Sequence, residues 1–293
     1  MQDFYSKTEK ILGKINIILL GLFAFSTTYP FIYVLSSSLS SGTAVASGRV
    51  VFFPTELTLS AYKQIFSDSL LWTSYANTFF YTIVGTAISM VFTITGAYAL
   101  SKPRLIGRKF LNLFIAFTMW FSAGMIPFYL NLRDLGLLNS RLGILIAFAC
   151  NSFNIILLRN YFERGIPETL EEAARVDGAT EFDIMTKIYV PLSKSALTTV
   201  ALFYAIARWN GYFWSMVLLK DESKIPLQVY LKKMVVEMNL GDEATELALQ
   251  SGSHSPETLV YAIIVIAIIP VVIIYPFIQK YFNKGIMMGG VKE

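Results

Sequence analysis

Charge is what this sequence most lacks. Lys, Arg, Asp and Glu make up 15% of its 293 residues and hydrophobic residues 55%, whereas a soluble domain carries about 25% charged residues. The mean hydropathy of +0.55 asks for a bilayer as solvent and excludes an ordinary soluble domain. The single cysteine, Cys150, excludes an intrachain disulfide. The single histidine, His254, lies between Ser253 and Ser255 in a polar stretch and reads as a solvated loop residue, so no metal site is expected. A net charge of +4 is too small to imply nucleic acid. Nothing matches Gly, four residues, Gly-Lys-Ser/Thr, so this chain has no phosphate-binding loop of its own. The core of no apolar run holds Asp, Glu or His, the groups that proton relays need. That argues against proton coupling and leaves sodium coupling through carbonyls and hydroxyls open.

Long apolar runs are abundant. A helix crosses the hydrocarbon core in about 20 residues, and six runs qualify: Ile15 to Leu35, Tyr75 to Leu100, Phe110 to Leu130, Leu142 to Leu158, Ala196 to Leu219 and Thr258 to Ile278. The fourth is the shortest and contains Asn151 and Asn154. Pro30, Pro127, Pro270 and Pro276 fall inside spans, where they kink helices and free carbonyls. No small-residue cleavage site follows the first run, so it reads as retained. Basic residues cluster before the first span (Lys7, Lys10, Lys14), in the second link (Lys102, Arg104, Arg108, Lys109), in the fourth link (Arg159, Arg164, Arg175, Lys187, Lys194) and in the tail (Lys280, Lys284, Lys292). The three alternate links hold about half as many. By the positive-inside rule both termini and the 159–194 link face the cytoplasm. The links 36–74 and 220–257 face outward, and their length suits binding a partner or being disordered. Residues 36–74 include an amphipathic piece, SAYKQIF.

The 159–194 link is too charged for hydrocarbon. Pro167 suits a helix start, and Glu168, Glu171 and Glu172 follow at the positive end of the helix dipole. Leu170, Ala173, Ala174 and Val176 give a small apolar face, and Gly178 is placed for a left-handed cap. Thr180 with Asp183 reads as a capping box for a second helix. Its apolar positions are Phe182, Ile184, Met185, Ile188 and Tyr189, and Pro191 ends it. A helix, tight turn and helix of this kind fit either a groove on another protein or the lipid surface.

The spacing Glu172-Ala173-Ala174, Gly178, Ile188, Val190-Pro191 resembles the signature loop of permease subunits of binding-protein-dependent ABC importers. The one departure is Val190, where that family has Leu. FFPTELTLSAYKQIF, IARWNGYFWSMVLL and the terminal KGIMMGGVKE resemble the sugar-importing branch, and the last resembles the tail of its maltose-type second permease. Within the branch the chain looks closest to permeases for oligosaccharides or polysaccharide fragments, including uronate-rich ones.

The resemblance implies an all-α, single permease domain over residues 1–293 with about six transmembrane helices, in the bacterial cytoplasmic membrane. It implies that Glu171, Glu172, Ala173, Ala174, Asp177, Gly178 and Pro191 form a coupling helix seated on an ATPase, and that Gly289 and Gly290 in the 279–293 tail make a further contact. No cofactor is bound by this chain, and ATP and Mg belong to partner ATPase subunits. The implied partners are a second homologous permease, two ATP-binding cassette subunits, an extracytoplasmic solute-binding protein and membrane lipid. Arg208 is the one charge near the middle of a span, at an insertion cost of about 2.5–3.5 kcal/mol. It reads either as paired with a carbonyl or loop acid, or as lining a passage where it would favour an anionic sugar. Tyr204, Trp209, Asn210 and Asn154 are the other passage candidates. Asn77, Asn151 and Asn154 also suit hydrogen bonding between helices. The alternatives are the same machine with amino acid, phosphate or other cargo, an ion-coupled secondary transporter, or a membrane scaffold.

Overall fold

The computed structural model describes residues 7–239 and 256–285, and every regular element among them is helical. Gly289, Gly290, His254 and most of the tail lie outside the described residues. The chain divides into two compact units. One draws on residues up to Ser69 with Lys233–Pro270, the other on Leu70–Lys232 with residues from Val271 onward.

In the first unit, α1 (Lys7–Ser38) leads into a segment rich in Ser and Thr that holds α2 (Gly42–Ala46) and α3 (Ser60–Ser67). The latter is the amphipathic piece expected from the sequence. This segment is folded, and hydroxyls hold it. Ser36 Oγ donates to the Phe52 carbonyl at 2.7 Å, Ser40 Oγ accepts from Thr55 N at 2.9 Å, and Ser38 and Tyr62 share a hydrogen bond of 2.8 Å. Glu56, at φ 55°, pairs with Arg49 at 2.9 Å. Ala44, Val45 and Val50 form a small core with Tyr261 against it.

The second unit is organised along α4 (Ser69–Ser101), 33 residues and about 50 Å at 1.5 Å per residue. After it come α5 (Arg108–Trp120), α6 (Met125–Asp134), α7 (Arg141–Ala147) and α8 (Ser152–Gly165). The charged link supplies α9 (Glu168–Val176), α10 (Glu181–Ile184), a π-turn at Met185–Tyr189 and α11 (Val190–Leu192). Then come α12 (Lys194–Trp209), α13 (Phe213–Leu218) and a 3₁₀ turn, while α14 (Leu227–Asn239) and α15 (Pro256–Gly285) each contribute residues to both units.

Among the described residues three helical stretches are long and apolar enough to cross a membrane: Ile11–Ser38, Ser69–Ser101 and Glu257–Pro276. Six result if each bent pair counts as one span. The sequence expectation of continuous third, fourth and fifth spans needs correction. The third turns by 115° between α5 and α6, and the fourth by 48° between α7 and α8. The first break falls at Gly124, whose φ of 90° and ψ of 171° only glycine adopts freely. Pro127 lies in the first turn of α6, where its missing N–H costs nothing, so it kinks no helix. The fifth run stops at Trp209, and α13 follows as a separate helix. Pro191 also does not end its helix. It sits at the start of α11, and the 86° bend into α12 comes after Leu192.

Candidate functional site

The charged link packs one face inward and leaves the other bare. Pro167 precedes α9, whose first turn carries Glu168 and Glu171. Asp177 N–H and Gly178 N–H close the far end onto the Ala173 and Arg175 carbonyls, with Gly178 at φ +82°. A Cβ added there meets nothing within 4 Å, so the backbone angle alone asks for glycine. Thr180 and Asp183 form the reciprocal capping box, with Asp183 N donating to Thr180 Oγ1 at 3.2 Å. Ala174, Ala179, Met185 and Ile188 then pack on a core of Ala97, Tyr98, Leu158, Phe162, Ile184 and Tyr189. The outward side is a ridge of Leu170, Glu172, Ala173, Val176, Asp177, Gly178 and Phe182, with Val176 88% and Phe182 69% exposed. Pro191 is exposed as well, and Ala174 is half-buried.

Glu171 points the other way. It is 6% exposed and meets Lys102, itself 5% exposed, in a direct ion pair. Tyr189 donates a hydrogen bond to Glu171 at 2.7 Å, Arg175 donates a second, and Arg104 lies at 3.5 Å. The Lys102 ammonium sits 4.2 Å from the Tyr98 ring centre and 3.7 Å from that of Tyr189, within cation–π range. Glu181 extends the network, accepting from Arg104 and, at 2.8 Å, from Tyr98. Burial raises the Glu171 carboxyl, but the hydrogen bonds from Lys102 and Tyr189 and the nearby cations outweigh it and hold the group below its ordinary value. For Lys102 burial wins over Glu171 and pushes the ammonium below its ordinary value. Sequence reasoning placed Glu171 on the partner-facing side. Helical phase was the missed signal, since residues 171 and 174 lie three apart on one face.

A cavity of about 390 Å³ opens further along α4. Tyr204, Arg208 and Asn210 line it, together with Tyr81, Cys150, Asn151, Tyr212 and Trp214. Trp209 and Asn154 are not among its walls. Trp209 packs edge-on against Phe79 and Tyr75, and Asn154 is buried in α8. Arg208 donates to the carbonyls of Ile144 at 3.3 Å, Leu145 at 3.1 Å and Phe148 at 3.1 Å, and to Ser89 Oγ at 3.1 Å. Those carbonyls are ones that the end of α7 leaves without a helical partner. Arg208 therefore closes the break in the fourth span while also facing the cavity. Asn151 caps the next helix, accepting from Asn154 N at 3.1 Å, and its own N–H donates to Tyr204, which also bonds Thr93 at 2.7 Å.

Two features of this region escaped the sequence reading. Gly85 is a seat for Arg208, because a Cβ there would lie 2.5 Å from Cζ, Nε and Nη1 of the guanidinium. Its signal was a glycine, one of two, inside a strongly helical run. Asn77 bonds from α4 to Arg141 of α7, as the sequence suggests, and it also reaches the link after α13, which the sequence did not show. Its amide donates to the carbonyls of Ser223 at 2.9 Å and Ile225 at 3.0 Å and accepts from Arg141 at 2.9 Å, fixing the link after α13.

The chain is 42% identical over 272 residues to the polygalacturonan/rhamnogalacturonan transport system permease protein YtcP of Bacillus subtilis, covering 92% of this chain and 94% of that one. It is 38% identical to the protein LplC of the same organism, covering 98% and 97%. A solved bacterial ABC transporter involved in the import of the acidic polysaccharide alginate includes a chain that is 58% identical, with a TM-score of 0.90, covering 96% of this chain and all of that one. Residues 94–288 match the family described as the binding-protein-dependent transport system inner membrane component, and that match takes in the bare ridge, the buried Glu171 and the Arg208 cavity alike. A helical membrane chain built this way belongs to the family of binding-protein-dependent transport system inner membrane components.

Proposed function

We propose that this chain forms half of the translocation pathway of an ATP-driven importer for acidic oligosaccharides, such as uronate-rich polysaccharide fragments. The observation that carries the reading is the ridge of Glu172, Ala173, Val176, Asp177 and Gly178. Among the described residues it is left exposed, while Ala174, Ala179, Met185 and Ile188 pack on the core behind it. Small side chains and a left-handed turn allow close approach by a partner, here a cleft on an ATP-binding cassette subunit. ATP and Mg act there. The link 159–194 and both termini then face the cytoplasm, and Asn77, Arg141 and the Ser223–Ile225 turn face the solute-binding protein. A second, homologous permease completes the pathway, with two ATPase subunits below. The bare apolar length of α1, where Ile17 is 71% and Phe23 68% exposed, fits lipid and that second permease.

Mechanistically, ATP closes the ATPase pair, the docked ridge moves with it, and the spans turn from inward-open to outward-open as the binding protein releases cargo. The cargo assignment is supported by relatives named for polygalacturonan/rhamnogalacturonan and alginate. Uptake of labelled oligogalacturonate, oligoalginate and maltooligosaccharide by cells with and without this gene tests it. Loss confined to the two acidic probes supports the reading, and loss of the neutral probe alone overturns it. For the coupling role, Gly178→Val is the decisive variant. Imported cargo per ATP falls while membrane insertion stays normal, and unaltered uptake at normal expression removes the role.

A further inference from the structure

Three pieces of this protein that the mechanism must move together are fastened to one helix. At the cytoplasmic end, the buried Lys102–Glu171 pair joins the link just past α4 to the docking helix α9, with Tyr98 of α4 and Tyr189 closing over the ammonium. In the middle, Ser89 and Gly85 hold and seat Arg208, and Thr93 bonds Tyr204, so the cavity wall is attached to the same helix. At the outer end, Asn77 binds the Ser223 and Ile225 carbonyls, Thr78 Oγ1 accepts from Leu227 N at 2.7 Å, and Tyr81 donates to the Lys224 carbonyl at 2.8 Å. No proline interrupts Ser69–Ser101, and an unbroken helix of that kind moves as a rod.

We propose that α4 is the transmission rod of this permease and that the Lys102–Glu171 pair is the pin through which the docking helix drives it. Glu171 is a positioning residue in this scheme. It touches neither cargo nor ATPase, and it makes the tilt of α9 a tilt of α4. The exposed Glu172, one residue on, faces the partner instead. Two charges buried side by side suit a pin, because separating them strips the buried Lys102 of its carboxylate, whereas apolar surfaces slide without such a penalty. The proposal rests on the docking role assigned to the ridge.

The test uses the complete importer in proteoliposomes, with oligogalacturonate as transport probe and Cys150 as a cargo-free probe. Cys150 is exposed, lines the cavity and is the chain's one cysteine. Glu171→Gln and Lys102→Met should each lower probe imported per ATP hydrolysed by on the order of 10-fold, within the ordinary span of a coupling free energy. The double variant should be no worse than either single, because both remove one link. Modification of Cys150 by a membrane-impermeant maleimide should lose its response to ATP plus vanadate in Glu171→Gln. Uptake and ATP hydrolysis falling in proportion would mark the pair as merely structural and overturn the proposal. So would a vanadate response at Cys150 equal to that of the unaltered chain. Co-purification separates the two levels. Failure of the ATPase subunits to accompany the unaltered chain rejects the docking role, whereas an unchanged ratio in an intact assembly rejects only the pin.

Discussion

Lys102 and Arg208 are both cations held out of water near α4, and the protein satisfies them in opposite ways. Lys102 faces a carboxylate and two tyrosine rings, in a cluster where Arg104, Arg175 and Glu181 reach the surface. Arg208 faces three backbone carbonyls and a serine hydroxyl, with no acid among those partners. The difference follows what lies opposite each cation. At Lys102 a full countercharge is delivered by the charged link and solvated on its far side. Arg208, in the last turn of α12, meets a helix break that supplies free carbonyls already in place, where a buried acid would bring a second desolvation cost of its own. A guanidinium matches those carbonyls because its rigid planar fork spreads donors over separate nitrogens, whereas a lysine carries all three of its own on one.

Changing Arg208 should have the largest effect. Arg208→Leu leaves three carbonyls of a broken span unsatisfied, at about 1–3 kcal/mol each, and should destabilise the purified chain by about 5 kcal/mol, read as a fall in thermal midpoint in detergent, with uptake lost. Arg208→Lys should recover only part of that stability, and full recovery would mean that charge alone matters here. Next comes the Lys102–Glu171 pair. Removing either partner should cost about 3 kcal/mol or more, while Lys102→Met with Glu171→Leu should cost about 1 kcal/mol, so a double-mutant cycle on unfolding separates the two regions. Gly85→Ala follows at about 1–3 kcal/mol, the usual penalty for overpacking, because the new methyl collides with the guanidinium. Its loss should vanish in an Arg208→Leu background. The smallest change is Thr180→Ala, about 1 kcal/mol from a lost cap.

Acidity distinguishes the two cations as well. Glu171 has a folded-state pKa below its ordinary value. Its contribution is therefore present above the usual carboxylate range and is lost as pH falls through the depressed value. Thermal stability should drop at acid pH, and Glu171→Gln should flatten that part of the curve. Arg208 and its neutral partners should contribute no such slope.

Helices, caps and membrane character were legible in the sequence because they depend on local pattern. The capping box at Thr180–Asp183 and the turn at Gly178 follow from residue types and short spacings. Breaks in the third and fourth spans were not legible, because hydropathy sums apolar residues without regard to direction: FSAG barely lowers it, and Asn151 and Asn154 mark the fourth run as weak without showing that it bends. The inward turn of Glu171 was obscured by its neighbour: two adjacent glutamates look alike until the helix is placed against Lys102. The two readings of Arg208 needed a third coordinate, since the carbonyls it holds lie about 60 residues away in sequence.

The bonds by which Arg208 holds the helix break have a consequence for how this lineage can change its diet. A permease adapting to a new sugar cannot retune charge at that position without reopening a helix break, so drift there is closed off. Cavity walls with no such duty, Tyr212 and Asn210 among them, are where heritable variation in appetite can accumulate.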